Sequence, residues 1–414
     1  MTPSTPIETI DQLKEYLQVA MQLEHATIPP YLTAAYTAKL EGNKPKNKDA
    51  RDAILAVARE EMLHLTLAGN MLNAIGGTPN LLRDGFVPTY PCHLPDGETD
   101  FEVSIASFSA TTIDNFLHIE RPNPPNESRK AAAVVTEEGK VRGVEPAALA
   151  AEAPEANSLL SEDGKIKYIE KKDLRHETRG QGRGLLPAVT VESPAGVLLE
   201  LHYWCIGEFY NAIRNGFVHL AAKPEPLFTG DKSRQIPPPR YFSAGGKLTK
   251  VTDLPTALAA IDLISSQGEG YTDEINDIGK ELAHYYRFEE IQKGRYYLKS
   301  DRPHHPRGGP LTVDFEAVYP IKRDGKVADY KNDPIVQQNA RMFNGLYRGF
   351  LGTLNDAFNG HPDFFEGSYA GMFQIRDAMD YLVRNEIAGT GENAAPTFEM
   401  NECIDPPANW PKEN

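Results

Sequence analysis

The sequence predicts a mainly α fold, a four-helix bundle carrying long insertions with some β structure and additional C-terminal helices. Three observations predict it. Four stretches repeat apolar residues at steps of three and four, the period of a helix that buries one face. Each of the four sets a glutamate on that apolar face, and two add a histidine one turn later. The segments between the second and third stretches, and between the third and fourth, are far longer than bundle connections require.

The first helix is expected over 10–40. Thr9 and Gln12 fit a capping box, and Ile10, Leu13, Leu17 and Ala20 form the stripe that leads to Glu24. Pro29-Pro30 is expected to kink or break it, because each proline removes a backbone donor. The second helix is expected over 49–75 and stops at Gly76-Gly77 and Pro79. From 78 to 192 the pattern is mixed. A β-like run, "DFEVSIASF", precedes a stretch rich in proline, charge and alanine from about 121 to 165.

Ser193-Pro194 supplies an N-cap followed by a proline suited to a first helical turn, which opens a third helix expected over 193–216. Residues 217–254 read as a loop-like insertion, and a short helix follows near 255–265. The fourth long helix is expected over 272–295. "RPHHPRGGP" reads as a loop and "LTVDFEAVYPI" alternates like a strand. Two further helices, about 334–358 and 368–388, belong to a C-terminal extension over 296–414. The whole chain, 1–414, is expected to form a single domain around the bundle.

Bulk properties narrow the function classes. The chain has 414 residues and a formal net charge of −15. That balance disfavours nucleic acid and anionic membranes as partners, since nothing offsets phosphate repulsion. Cys92, Cys205 and Cys403 are odd in number and far apart, which excludes a disulfide framework and a Cys-x-x-Cys metal knuckle. The first residues carry neither a basic segment nor an apolar core of a signal peptide, and no run reaches 18 apolar residues. A cytoplasmic protein is expected.

The glutamates carry the chemistry. In the second helix the buried seam is Ile54, Val57, Glu61, His64, Ala68 and Met71, with Arg59 and Glu60 facing solvent. Val197, Leu201 and Trp204 lead to Glu208, and Ile278, Glu281, His284, Phe288 and Ile291 form the seam of the fourth helix. A lone buried carboxylate costs several kcal/mol unless paired or neutralised, of the order seen for unpaired buried charges. Four converging on one core repel one another, and two divalent cations remove that problem. The order Glu24, Glu61-x-x-His64, Glu208, Glu281-x-x-His284 is that of ferritin-like di-iron bundles. A metal-free bundle with buried carboxylates is the alternative. Carboxylate-rich donor sets suit iron or manganese rather than zinc or copper. Tyr31, two turns after Glu24, and Asp277, one turn before Glu281, are candidates to hydrogen-bond ligand carboxylates.

Other residues carry a blander expectation. His25 falls off the seam, and His202 sits on a different face from Glu208. Glu200 rivals Glu208 but lies on a less apolar stripe. His304-His305 sits among prolines in a loop. "RGQGRG" (179–184) lacks the strand and spacing of a dinucleotide loop.

Beyond these ligands, "QLEHATIPPYL" (22–32), "EEMLHL" (60–65), "IGEFYNAI" (206–213), "ELAHYYRFEEI" (281–291) and the tail "PTFEM" (396–400) resemble the iminophenyl-pyruvate dimer synthase type of ferritin-like domain. That domain occurs in the violacein and rebeccamycin pathways. The resemblance implies that Glu61 and Glu281 bridge two metals, with Glu24 and Glu208 as terminal carboxylates and His64 and His284 as terminal imidazoles. It implies two Fe ions, with Mn possible, and O2 as co-substrate. The function it implies is a non-haem di-iron oxidase or oxygenase acting on a small organic molecule, an amino acid or an amino-acid-derived imine of specialised metabolism. The alternative is a metal-binding relative for iron storage or peroxide detoxification. A monomer or small homo-oligomer is expected, with a small-molecule substrate as its only partner.

Overall fold

The capping box opens the first element as the sequence predicts. Thr9 Oγ1 accepts from Gln12 N at 3.1 Å, and Gln12 Oε1 accepts from Thr9 N at 3.0 Å. In the computed structural model, the described residues are 6–40, 45–97, 100–122, 189–192, 197–241, 245–268, 270, 274–408 and 410. Helix α1 spans Ile10–Thr37 and α2 spans Lys48–Ala74. At 1.5 Å per residue each is about 40 Å long. They pack along one another and form the long layer of the bundle.

Pro29 and Pro30 do not break α1. A proline at i frees the carbonyl at i−4. The carbonyl of Ala26, freed by Pro30, accepts from Tyr90 Oη at 2.8 Å, and Thr33 Oγ1 donates to Pro29 O at 2.8 Å. The tertiary hydrogen bond from Tyr90 thus replaces one of the two that the prolines remove, while the Thr33 bond is local.

The opposite layer departs from the expectation of two long helices. It is built from four short ones: α3 (Ala110–Ile119), α4 (Ile206–Ala221), α5 (Leu254–Gln267) and α6 (His284–Lys293). Beside α1, Phe209 stacks on Tyr16 at 5.6 Å, so α4 lies against its first half. Phe116 meets Tyr31 edge-on at 4.6 Å, so α3 lies against its second half. Against α2 the partners are α5 and α6, and α3 pairs with α6 as α4 pairs with α5. The third and fourth positions of the bundle are therefore each filled by two helices. The chain leaves the third position after Glu120 and re-enters it at Cys205. Arg121 and Trp204 close that seam, with Arg121 Nη2 donating to Trp204 O at 2.7 Å and its guanidinium 4.0 Å from the indole centroid. The chain leaves the fourth position after Gln267 and re-enters at His284.

Several expectations need correction. The third helix does not start at 193. Residues Leu198–Leu201 form strand β2, paired antiparallel with β1 (Val189–Glu192), and the helix begins at Ile206. Ser193-Pro194 lies outside the described residues, as do most of the 121–165 stretch and "RGQGRG". The fourth helix does not run from 272. Asp277 accepts from Glu281 N at 2.8 Å, Lys280 adopts a left-handed φ of 65°, and Asn276 bridges Leu282, so residues before Ala283 form a turn. "DFEVSIASF" and "LTVDFEAVYPI" make isolated bridges rather than strands, and α3 appears where no helix was expected.

Helices α7 (Pro334–Phe358) and α8 (Phe364–Arg384) pair with each other and close on the outside of α1 and α2. Gly69 allows the approach of α7 to α2, because a Cβ there would sit 2.6 Å from the Phe358 ring. One continuous apolar core runs through both layers and beneath these helices. Full burial of a Leu or Phe side chain contributes about 1.5–3 kcal/mol. Among the described residues no helix is long and apolar enough to cross a membrane.

Candidate metal centre

The two gaps in the short-helix layer lie at one level, facing the middle of α1 and α2. Five side chains meet there. Glu24 comes from α1, Glu61 and His64 from α2, Glu120 from the C-cap of α3, and His284 from the first turn of α6; all are buried. They form two overlapping groups, Glu24–Glu61–His64 and Glu61–Glu120–His284, each with one ligand atom per residue within 4.8 Å of the others. Glu61 is common to both.

Of the sequence-predicted ligands, the structure brings together Glu24, Glu61, His64 and His284. It does not bring Glu208 or Glu281 to them. Glu208 is buried in the first turn of α4, where its Oε2 accepts from Trp204 N at 2.8 Å. Glu281 is exposed and lines a separate cavity of about 350 Å³ with Arg287 and Glu290. It lies in the turn before α6, so the helical step that would have placed it beside His284 is absent.

Glu120 is the member that sequence reasoning missed. Ile113, Phe116 and Glu120 follow the same three- and four-residue step behind a Ser109 N-cap, so a signal was present inside a segment read as strand and loop. Glu60 is also corrected. It is buried rather than solvated, accepting from His284 Nε2 at 2.7 Å and pairing with Arg287 Nη2 at 3.1 Å.

Each donor atom is oriented from behind. His64 Nδ1 stands 3.4 Å from Glu24 Oε2, while its Nε2 meets Gln267 Oε1 at 3.2 Å. His284 Nδ1 lies 2.8 Å from Glu61 Oε1 and 3.5 Å from Glu120 Oε2, while its Nε2 is held by Glu60. Tyr31 Oη donates to Glu120 Oε1 at 2.6 Å, Tyr210 Oη donates to Glu24 Oε1, and Thr27 Oγ1 donates to Glu61 Oε2 at 3.3 Å. Asp277 touches none of the five. It receives a hydrogen bond from Gln267, the residue behind His64. His25 turns away to Tyr347 Oη at 2.8 Å.

Burial and mutual repulsion set the protonation of this cluster. Burial, with the charges of Glu120 and Glu24, pushes Glu61 well above the usual carboxylate range. Burial also opposes charge on Glu24, but His64, Glu61 and Tyr210 outweigh it and draw Glu24 down. Burial opposes protonation of His284, yet the surrounding carboxylates raise it well above its ordinary value. Burial and the adjacent carboxylates raise Tyr31 and Tyr210, which stay protonated donors.

These residues fit a pair of metal ions. The donor set is three carboxylates and two imidazoles. His284 Nδ1 is buried and faces Glu61 Oε1 at 2.8 Å and Glu120 Oε2 at 3.5 Å outside good hydrogen-bond geometry, and once deprotonated this nitrogen and the two carboxylates would suit an ion. A cavity of about 10 Å³, room for about one water, opens between Glu24, Glu61, His64 and Glu120.

A family model described as Ferritin-like matches residues 17–293, from within α1 to the end of α6. The chain belongs to the ferritin-like family. It is 23% identical over 449 residues to the dichlorochromopyrrolate synthase of Lentzea aerocolonigenes, an alignment covering 96% of this chain and 37% of that protein. The chain thus spans little more than a third of that relative's length. The crystal structure of a ferritin-like protein from Caulobacter vibrioides aligns with a TM-score of 0.52 at 21% identity, covering 95% of this chain and 100% of that one. That likeness carries the fold.

Proposed function

We propose that this ferritin-like chain is a non-haem di-iron oxidoreductase that uses O2 on a small organic substrate, an amino acid or an amino-acid-derived imine. The observation that carries this reading is the pair of ligand groups sharing Glu61. In it Glu24, Glu61 and His64 would hold one ion, and Glu61, Glu120 and His284 would hold the other. Manganese fits the same donors. Two ferrous ions so held supply electrons for O2 reduction when bound. The protein's part is positional. Tyr31 and Tyr210 occupy one oxygen each of Glu120 and Glu24, which leaves the other oxygen toward the ions. Gln267 and Glu60 hold the distal nitrogens of His64 and His284, fixing which nitrogen ligates. Burial keeps bulk water off the cluster. The relative's name, a dichlorochromopyrrolate synthase, and the motif resemblance to iminophenyl-pyruvate dimer synthases both support oxidative work on amino-acid-derived compounds.

The test is anaerobic loading with Fe(II), iron determination, then O2 consumption with and without a panel of amino acids and their imines. About two irons per chain and substrate-dependent O2 uptake are expected, with both lost in Glu61→Ala. An iron-free wild type, or Glu61→Ala that loads as wild type does, sinks the reading.

One observation favours a second reading, iron oxidation or peroxide removal without an organic substrate. The cavity beside the ligands, at about 10 Å³, is far smaller than an amino acid. Under that reading O2 uptake follows added Fe(II) and ignores every organic compound in the panel.

A further inference from the structure

A second cavity lies apart from the cluster, and none of the five cluster residues lines it. Its volume is about 350 Å³, within the range of about 300–1,000 Å³ typical of small-molecule sites. Three parts of the chain wall it: Ala53 of α2, the turn before α6, and α6 itself with the segment behind it at 297–299. Arg287 lines it and pairs with Glu60 Oε1 at 3.1 Å, so Arg287 and Glu60 stand between this cavity and His284.

Part of the lining is apolar. Ile275 packs with Ala283 and Tyr286 in a small core separate from the main one, and Leu282 and Tyr297 pack against it. Leu298 also lines the cavity while 48% exposed, so a ligand here would cover apolar surface.

The remaining lining carries charge of both signs. Lys280, Glu281 and Lys299 are exposed, and none of them makes an ion pair among the described residues. Charges so exposed are ordinarily only solvated, but these three converge on one partly apolar cavity. Arg287 is held in place. Its Nε donates to Leu282 O at 2.6 Å and its Nη2 faces Glu60, which leaves Nη1 without a partner among the described residues. Glu290 is already engaged, accepting from Tyr297 N at 2.6 Å, and burial pushes its carboxyl up to about 7. The acid left for a ligand is Glu281. Lys280 holds a left-handed φ of 65°, a conformation that glycine adopts freely and lysine only at a cost. Such conformations at non-glycine residues cluster at ligand sites.

We propose that this cavity binds a small zwitterion with an apolar body, an α-amino acid in chemical class. Lys280, Lys299 and Arg287 take its carboxylate, and Glu281 takes its ammonium group. A plain carboxylate would leave Glu281 opposed, and a plain amine would leave the three cations opposed. The site goes beyond the reading above, since it needs no metal and lies away from the cluster.

The probes are L-leucine, 4-methylpentanoate, which lacks the amine, and 3-methylbutylamine, which lacks the carboxylate. Each is titrated against the metal-free full chain by ligand-observed NMR. Wild type is expected to bind L-leucine saturably and each of the other two about tenfold more weakly, as loss of one charged contact does. Lys280→Gly should weaken L-leucine about tenfold without weakening 3-methylbutylamine. It should melt no lower than wild type, because glycine accepts that φ. Glu281→Gln should weaken L-leucine by a similar factor without weakening 4-methylpentanoate. Absence of saturable L-leucine binding to wild type overturns the proposal. So does 4-methylpentanoate or 3-methylbutylamine binding as tightly as L-leucine, or a loss of L-leucine affinity in only one variant or in neither. Iron uptake tests the di-metal reading separately, and its failure leaves these outcomes unchanged.

Discussion

At the scale of residues, the cluster works through the groups behind the ligands. Glu60 is the clearest case, since its carboxylate holds His284 Nε2 and is itself held by Arg287. Glu60→Ala should weaken binding of one metal by about 10–100-fold, the usual effect of removing such an orienting partner. Competition against a coloured chelator measures it, and unchanged affinity would show that Glu60 does not orient His284. His25, the neighbour of Glu24 on the opposite face, makes a separate prediction. Burial draws its pKa from 6.5 down to about 3. The folded chain thus holds it neutral where the unfolded chain protonates it. Between those values the unfolded state binds more protons, so stability falls as pH drops from 6.5 toward 3, by about 1.4 kcal/mol per unit. Urea titrations at pH 6 and pH 4 should show a shallower decline in His25→Gln, and an identical decline contradicts this assignment. Legibility at this scale divided by context. Glu24, Glu61 and His64 were readable because each sits on an unbroken apolar stripe. Glu60 was misread because a helical wheel treats the side away from the bundle seam as solvent, whereas α6 covers it here.

At the scale of elements, continuity decided what could be read. Helices α1 and α2 carry their whole period in one window, with a capping box at one end and Gly76-Gly77 beyond the other. The third and fourth positions are split at the level of the cluster, so no window of sequence contains both halves. Extending the period backward from His284 reached Glu281, and backward from Glu208 reached Val197, across breaks that only tertiary contacts create. The prolines misled in the opposite direction. A kink or break was expected at Pro29-Pro30, but α1 stays helical through both, and Tyr90 satisfies the Ala26 carbonyl that Pro30 frees. Tyr90→Phe should therefore cost about 1–3 kcal/mol, because the Ala26 carbonyl is left buried without its partner. Equilibrium urea unfolding measures this, and a change under about 0.3 kcal/mol would mean another group satisfies that carbonyl.

At the scale of the whole molecule, two long helices supply a rigid wall, and the insertions enter at the two gaps opposite it. The ferritin-like frame thus keeps its central cluster while drawing one of the carboxylates, Glu120, from the edge of the largest insertion. Burying Glu24, Glu61 and Glu120 together destabilises the metal-free fold, and on the di-metal reading bound metal relieves it. The melting temperature should rise with Mn(II) or Fe(II) concentration, equivalent to about 2.7 kcal/mol at a hundredfold excess over the dissociation constant. A melting temperature indifferent to both metals contradicts a buried metal site. The most direct test of the account is metal per chain in two variants measured side by side. Glu120→Ala should fall from about two ions to one or fewer, while Glu281→Ala should keep both. The reverse result, with Glu281 needed and Glu120 dispensable, would contradict the site described here.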